Sequence, residues 1–261
     1  MDYITYFKDM HTPFLEGKVA IITGASRGIG RETVELMAEL GAKVVISYVR
    51  NDGLAKELYD RVTQKGQEAL LFKGDLSDYE EAKQLIDSTI QKFGKIDILV
   101  NNAGITDPRF FLEISEENWD EMMDINLKSM YNCCKHAVPY MIEQSYGKII
   151  NMSSVVGKSG SIGAGAHYCA AKAGAIGFTK ALANQLAPHG ITVNSIAPAM
   201  IDTEMIRWRT PEQMKSHVEL IPLKRIGVCS EVTQAIAFLC SKFADFITGY
   251  CMDINGGLYM D

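Results

Sequence analysis

The sequence predicts a single α/β domain, residues 1–261, built on one doubly wound parallel sheet of about seven strands with helices on both faces. Short apolar runs rich in Val and Ile alternate along the chain with amphipathic segments. These runs show little alternation of apolar and polar residues, which indicates strands buried on both faces, as in a parallel sheet. No linker, low-complexity tract or internal repeat divides the chain. Residues 1–15 are expected to be an N-terminal extension.

Seven candidate strands alternate along the chain with segments that carry helix-start signals. The strands are Val19–Thr23, Lys43–Val49, Glu68–Lys73, Ile96–Asn101, Lys148–Ser153, Ile191–Ala197 and Tyr250–Ile254. Ser77 and Glu80 have the spacing of a capping box, which predicts a helix that runs to about Phe93. Thr210 before Pro211 predicts another helix start, with a capping hydroxyl followed by proline at the first helical position.

Composition narrows the function. The formal net charge of −6 disfavours nucleic acid and anionic membrane surfaces as partners, because both require a basic patch. No apolar run approaches the roughly 20 residues that span a bilayer, and residues 1–18 show no secretory signal. The six cysteines lack the CxxC spacing of a zinc site and suit a reducing compartment. We therefore expect a cytoplasmic protein with a small-molecule substrate.

A glycine-rich turn follows the first candidate strand and opens a helix. It reads Thr23-Gly24-Ala25-Ser26-Arg27-Gly28-Ile29-Gly30. Glycine allows a tight turn and a close approach to a pyrophosphate, and the helix N-terminus offers N–H groups to the phosphates. The turn predicts a dinucleotide site, although glycine also occurs in many ordinary strand–helix turns.

The end of the second strand favours one dinucleotide over the other. An NAD site usually has an acidic residue there to accept from the ribose 2′-hydroxyl, but the first carboxylate is Asp52. Arg27 and Arg50 are placed to bind a 2′-phosphate, unless both simply face solvent. NADP(H) is favoured and NAD(H) stays possible. Asp75 is a candidate acceptor for the adenine amino group, or else an ordinary carboxylate at a helix start.

Tyr168 and Lys172 lie one helical turn apart and are the candidate acid–base pair. The ammonium is expected to lower the pKa of the phenol. Two other pairs, Tyr79–Lys83 and Tyr131–Lys135, have the same spacing, but only Tyr168 lies in a segment rich in small residues. Ser154, after the fifth strand, could bind the substrate oxygen, or could be a turn residue.

Asn126 lies in a predicted helix although asparagine is a poor helix former, so it could bend the helix near Lys172 or be a buried amide of the core. Asn102, Ala103 and Gly104 follow the fourth strand, where open α/β sheets bind ligands.

From about Leu15 to Asp261 the chain resembles the short-chain dehydrogenase/reductase family, with its Rossmann-type fold. The resemblance is carried by TGASRGIG, NNAG, the Asn126 segment, NMSSVVG, YCAAK, Pro198 and the closing Asn255-Gly256-Gly257, in this order. It implies a catalytic tetrad of Asn126, Ser154, Tyr168 and Lys172, hydride transfer without metal, and a homotetramer. It also implies cofactor contacts from Gly24, Ser26, Arg27, Gly28, Ile29, Gly30, Arg50, Asp75, Leu76, Asn102, Ala103, Gly104, Tyr168, Lys172, Pro198, Ile201 and Thr203.

Within the family the sequence is most similar to 3-oxoacyl-(acyl-carrier-protein) reductases. It departs from them at Ser145 and His189, where that subgroup has basic residues that meet the carrier protein, so docking of a carrier protein is an open question. Residues 203–221 match the substrate lid. There Trp208 lies between Arg207 and Arg209, which suggests that this segment binds an anionic substrate. The alternative is a helix whose basic face is solvated. Sugar or polyol and hydroxysteroid (bile-acid) dehydrogenases, and a non-catalytic NADP(H)-binding regulator, remain alternatives.

Overall fold

The structure is a computed structural model that describes residues 14–161, 163–207 and 209–261. Seven parallel strands form one sheet in the order β3-β2-β1-β4-β5-β6-β7. The strands are β1 Val19–Ile22, β2 Lys43–Tyr48, β3 Ala69–Lys73, β4 Ile98–Asn101, β5 Gly147–Met152, β6 Ile191–Pro198 and β7 Cys251–Ile254. Strand order reverses at β1, between β2 and β4, as a doubly wound sheet requires. The predicted fold class is confirmed.

Nine α-helices connect or flank these strands in the described part of the chain: α1 Gly28–Glu39, α2 Asp52–Gln64, α3 Tyr79–Phe93, α4 Glu116–Met123, α5 Ser129–Glu143, α6 Val156–Ser159, α7 Ala166–Leu186, α8 Pro211–Leu220 and α9 Cys229–Cys240. They cover both faces of the sheet. Ile22 packs in one core with α1, α2 and α9, whereas its neighbour Ile21 packs in the other with α3, α5 and α7. Both faces of each central strand are buried, which explains the missing alternation.

The start of α3 differs from the prediction. Asp78, not Ser77, is the capping residue, and its carboxylate accepts from the backbone N–H groups of Glu80 and Glu81 at 2.8 and 2.9 Å. The Ser77 hydroxyl instead donates to Asp75 at 2.7 Å. At α8 the predicted cap is confirmed, because the Thr210 hydroxyl accepts from the Gln213 N–H at 3.3 Å.

The end of the predicted N-terminal extension is anchored. Leu15 is buried, and its N–H donates to the Leu40 carbonyl at 3.0 Å. The rest of the extension, residues 1–13, lies outside the described residues. No described helix is long and apolar enough to cross a bilayer.

Candidate active site

A cavity of about 500 Å³ opens at the carboxyl ends of the strands. In a parallel sheet these ends share one edge, so the loops after β1, β4, β5 and β6 meet there. The cavity brings together ten of the predicted site residues: Ile29, Asn102, Gly104, Asn126, Ser154, Tyr168, Lys172, Pro198, Ile201 and Thr203. The other predicted cofactor residues do not line it and lie in the segments that follow β1 to β4, including the first turn of α1: Gly24, Ser26, Arg27, Gly28, Gly30, Arg50, Asp75, Leu76 and Ala103.

The glycine-rich turn after β1 leaves no room for a side chain at Gly24 or Gly30. Gly24 has a φ of +63°, and a Cβ there would lie 2.8 Å from the Ala103 Cα. A Cβ on Gly30 would lie 2.5 Å from the Gly24 carbonyl oxygen and 2.6 Å from the Asn102 amide nitrogen. Helix α1 starts at Gly28, directly behind this turn. The bare backbone and the helix N-terminus form a cradle that fits a dinucleotide pyrophosphate.

Thr23 and Asn102 join this turn to the loop after β4. The Thr23 hydroxyl accepts from the backbone N–H groups of Asn102 and Ala103, both at 2.9 Å. The Asn102 amide donates back to the carbonyls of Thr23 and Gly24 at 2.9 and 3.2 Å. The two loops therefore hold each other at the point where strand order reverses.

The edge of the sheet at the end of β2 carries the arginines and the carboxylate on which the choice of dinucleotide depends. Arg27 and Arg50 are both exposed at this edge. Asp52 is engaged elsewhere, because its carboxylate accepts from the Tyr48 hydroxyl at 3.0 Å and from the Lys73 ammonium at 3.0 Å. The Lys73 hydrogen bond, followed by the Tyr48 one, holds the pKa of Asp52 below its usual range. The first carboxylate after β2 is thus bound to neighbours on β2 and β3.

The N-terminal half of α7 presents the candidate acid–base pair, Tyr168 and Lys172, to the cavity and is hydrogen-bonded to β5 and the residue after it. The Ser153 hydroxyl donates to the Lys172 carbonyl at 2.7 Å. The Lys172 ammonium donates to the Met152 carbonyl at 2.9 Å. Deeper along the helix, the Asn151 amide donates to the Thr179 hydroxyl at 2.9 Å. These three hydrogen bonds fix the distance between α7 and the end of β5, which Ser154 follows by two residues.

Burial dominates the electrostatics of this pair. It raises the pKa of Tyr168 to about 12, while a hydrogen bond with Ser154 acts in the opposite direction. It lowers the pKa of Lys172 to about 8. In the protein alone, burial outweighs the expected effect of Lys172, so the pKa of Tyr168 is raised and not lowered. The Lys172 nitrogen lies 5.7 Å from the centre of the phenol ring and is hydrogen-bonded to Met152. The phenol is therefore protonated near neutral pH.

Asn126 lies in a single turn of π-helix, Asp124–Lys128, between α4 and α5. Its side chain is fully buried, donates to the Met122 carbonyl at 3.1 Å and accepts from the Ile105 N–H at 3.3 Å. The amide therefore holds the loop after β4. Single π-helical turns within α-helices are frequent at functional sites. The structure thus shows both an irregular helix at Asn126 and a buried amide.

In the lid, residues 203–221, Arg207 and Arg209 have different surroundings. Arg209 lines the cavity with Met205, Ile206, His217 and Leu220. Arg207 is 71% exposed, lies 4.0 Å from the Glu204 carboxylate and does not line the cavity. The anion hypothesis for Arg207 is therefore not supported by its position. Trp208 lies outside the described residues.

Sequence reasoning missed three parts of the site. These are the Thr23 hydroxyl, the Met152 carbonyl and His217. Thr23 belongs to the quoted motif, and its place at the end of β1 was an available signal. A backbone carbonyl carries no sequence signal, and His217 in an amphipathic helix is one polar residue among several. Among the described residues no group of three potential metal ligands is present.

The comparisons with known proteins agree with this geometry. The family model of short chain dehydrogenases matches residues 18–214. A 3-oxoacyl-(acyl-carrier-protein) reductase of Vibrio cholerae is 42% identical over 246 residues, which cover 94% of this chain and 99% of that protein. Proteins of the same description from Staphylococcus epidermidis and Escherichia coli are each 40% identical, over 93% and 94% of this chain and 99% and 98% of theirs. With the glycine cradle beside a cavity that the loop after β4 and the Tyr168–Lys172 helix line, the chain belongs to the short chain dehydrogenase family of nicotinamide-dependent oxidoreductases.

Proposed function

We propose that the protein reduces a 3-oxoacyl-type ketone with NADPH and that Tyr168 donates the proton. One observation carries the proposal. Ser154, Tyr168 and Lys172 line the same cavity as the loops that would hold a nicotinamide, and Ser154 lies close enough to Tyr168 to act on the pKa of the phenol. The relatives, described as 3-oxoacyl-(acyl-carrier-protein) reductases, support a ketone of this class.

The bound cofactor supplies the hydride, and the residues of the chain handle the oxygen and the proton. The Ser154 hydroxyl donates to the substrate oxygen and orients it toward Tyr168. The Tyr168 phenol, protonated near neutral pH, donates its proton to the oxygen as negative charge develops there. The Lys172 ammonium, held by Met152, stabilises the phenolate that remains. Asn126 positions the loop after β4, and through it Asn102 and Gly104.

Replacement of Tyr168 by Phe tests the chemical role. Tyr168→Phe should lower kcat by more than about 100-fold, since general acid catalysis contributes that much, and should keep NADPH binding. Tyr131→Phe is the matched control. It also lies four residues before a lysine, but it is 45% exposed on α5 and does not line the cavity. Both variants are assayed for ketone reduction and titrated with NADPH by nicotinamide fluorescence. Equal activity in Tyr168→Phe and the control would contradict the proposal.

NADPH is the proposed cofactor because the arginines are exposed at the end of β2 and Asp52 is bound to Tyr48 and Lys73. Titration should give at least about tenfold tighter binding of NADPH than of NADH, the value of one charged hydrogen bond. Arg50→Ala and Arg27→Ala should narrow this difference by weakening NADPH alone. Arg61→Ala is the control, because Arg61 pairs with Glu35 and Glu57 on the surface. Equal binding of the two dinucleotides would show that the arginines do not read the 2′-phosphate.

No observation favours the sugar, polyol or hydroxysteroid alternatives. The homotetramer, the cytoplasmic location and a metal-free reaction stay predictions. A carrier protein as partner is also a proposal only.

A further inference from the structure

One end of the cavity is lined by basic side chains that have no role in the reduction of a ketone. The cofactor side is lined by Asn102, Gly104 and Pro198, and the reacting centre by Ser154 and Tyr168. Beyond them, the lid contributes an apolar surface and two basic side chains: Met205, Ile206, Leu220, Arg209 and His217. Neither basic group has a role in the proton transfer. Their place at the lid end points to the part of the substrate that does not react.

The charge of the cavity is opposite to that of the chain. The formal net charge is −6, yet the side chains described around the cavity include Lys172, Arg209 and His217 and no aspartate or glutamate. Arginine stays protonated even when it is partly desolvated. A concave, partly apolar site lined by one sign of charge concentrates ligands of the opposite sign. The cavity is therefore electrostatically suited to an anion.

Arg209 and His217 act on the same region. Burial is the first cause that lowers the pKa of His217, and the positive charge of Arg209 is the second, so the two groups lie within electrostatic reach. Burial also lowers the pKa of Arg209. Both side chains line the lid end of the same cavity, where partial burial disfavours positive charge. An anionic group bound near both would offset the desolvation of Arg209 and would favour the protonated imidazole of His217.

We propose that the substrate carries its own anionic group, a carboxylate or a phosphate, and that Arg209 and His217 bind it at the lid end of the cavity. The ketone then lies against Ser154 and Tyr168, and the carbon chain between the two groups contacts Met205, Ile206 and Leu220. This inference rests on the proposed ketone reductase function and adds the substrate class. Arg207, exposed beside Glu204, has no part in it.

The experiment compares charged and neutral versions of one ketone. The probes are straight-chain oxo acids with the ketone two to six carbons from the carboxylate, each paired with its methyl ester. A second pair is acetoacetyl-coenzyme A, which has phosphates, and the acetoacetyl thioester of N-acetylcysteamine, which has none. The quantity measured is the ratio of kcat/KM for the charged probe to that for its neutral partner. The pair with the larger ratio identifies the anion as carboxylate or phosphate.

Arg209→Gln should lower that ratio by about ten- to 100-fold, the effect of one charge-assisted hydrogen bond. His217→Ala is the second variant and should lower it in the same direction. The matched control is Arg207→Gln, two residues away, which should leave the ratio unchanged. NADPH titration and thermal melting of each variant confirm that the fold and the cofactor site are intact.

The outcomes separate this inference from the proposed function. In one outcome, the wild type reduces the ketones while Arg209→Gln leaves the ratio of kcat/KM between charged and neutral probes unchanged. In that case the proposed anion site is wrong and the reductase proposal stands. The inference is also wrong if Arg207→Gln changes the ratio as much as Arg209→Gln does. If no ketone in either series is reduced, the proposed function itself fails.

Discussion

Lys172 is a cation kept in a site that disfavours its charge. Its side chain is 4% exposed, and its ammonium donates to the Met152 carbonyl at 2.9 Å. Burial lowers its pKa to about 8, so the ammonium loses its proton at a pH where most lysines are fully charged. Tyr168 has the opposite shift and keeps its proton. The pair is therefore set to donate a proton below about pH 8.

The pH dependence of ketone reduction should follow Lys172. With saturating NADPH, kcat should be constant below about pH 8 and fall by up to tenfold per unit above it, because the neutral amine no longer stabilises the tyrosinate. A neutral ketone is used, so that the substrate does not titrate, and NADPH binding is measured at each pH as the control. A profile that stays flat to pH 10 would show that Lys172 keeps its proton in the complex.

The motif predicted which residues form this pair, but not their electrostatics. The spacing of Tyr168 and Lys172, together with the small residues around them, distinguished them from Tyr131 and its lysine. The pKa of the phenol depends on burial and on the direction of the ammonium. Lys172 donates to a backbone carbonyl, which every residue type offers equally, so the spacing could not predict it.

The turn between β1 and α1 works as a unit with the loop after β4. Thr23 and Asn102 exchange hydrogen bonds across it, and Gly24 and Gly30 leave the space that Asn102 and Ala103 occupy. The atoms in contact with the two glycines are largely backbone, which cannot move aside as a flexible side chain can. The cradle is therefore sensitive to a single methyl group.

Gly30→Ala should destabilise the protein by about 1–3 kcal/mol and weaken NADPH binding more than tenfold, because the new Cβ meets the Gly24 carbonyl and the Asn102 amide. Gly53→Ala in α2 is the matched control. A Cβ there meets nothing within 4 Å, and alanine favours the helix by up to about 1 kcal/mol. Urea unfolding and NADPH titration measure both effects. Equal losses in the two variants would mean that the close contacts at Gly30 are not limiting.

All seven strands were predicted near their observed bounds, because double burial leaves continuous Val- and Ile-rich runs in the sequence. The capping residue at the start of α3 was not predicted correctly. Ser77 and Asp78 are adjacent and both can cap a helix. The choice between them depends on the loop after β3, where Asp75 engages the Ser77 hydroxyl. The choice between Ser77 and Asp78 is made by tertiary contacts, which leave no periodic pattern in the sequence.

The two cores on either side of the sheet contain free thiols. Cys133, Cys134 and Cys240 are buried, and burial raises the pKa of each, to about 12 for Cys134 and Cys240. In the unfolded chain these thiols ionise above about pH 8.5. The folded protein therefore binds more protons than the unfolded chain in alkali, and its stability falls as the pH rises.

The free energy of unfolding should decrease between pH 8.5 and 10.5, by roughly 2 kcal/mol per fully buried thiol at pH 10. Lys172, with its lowered pKa, acts in the opposite direction but is a single group. Cys240→Ala removes one thiol, so its loss of stability with pH should be smaller than that of the wild type. Urea unfolding at pH 8, 9 and 10 gives both slopes. Parallel slopes would show that Cys240 does not contribute.

Sheet order has a consequence for synthesis on the ribosome. Strands β1, β2 and β3 can pair as soon as they emerge, but β1 keeps an open edge until β4 arrives. From then on each new strand joins the one before it, so the open edge moves outward from β4 to β7 in the order of translation. Open strand edges pair with other chains. Nascent chains that stall anywhere between residues 101 and 251 therefore expose an unpaired strand edge on the same side of the sheet. A chaperone that covers this edge would protect all of them from aggregation.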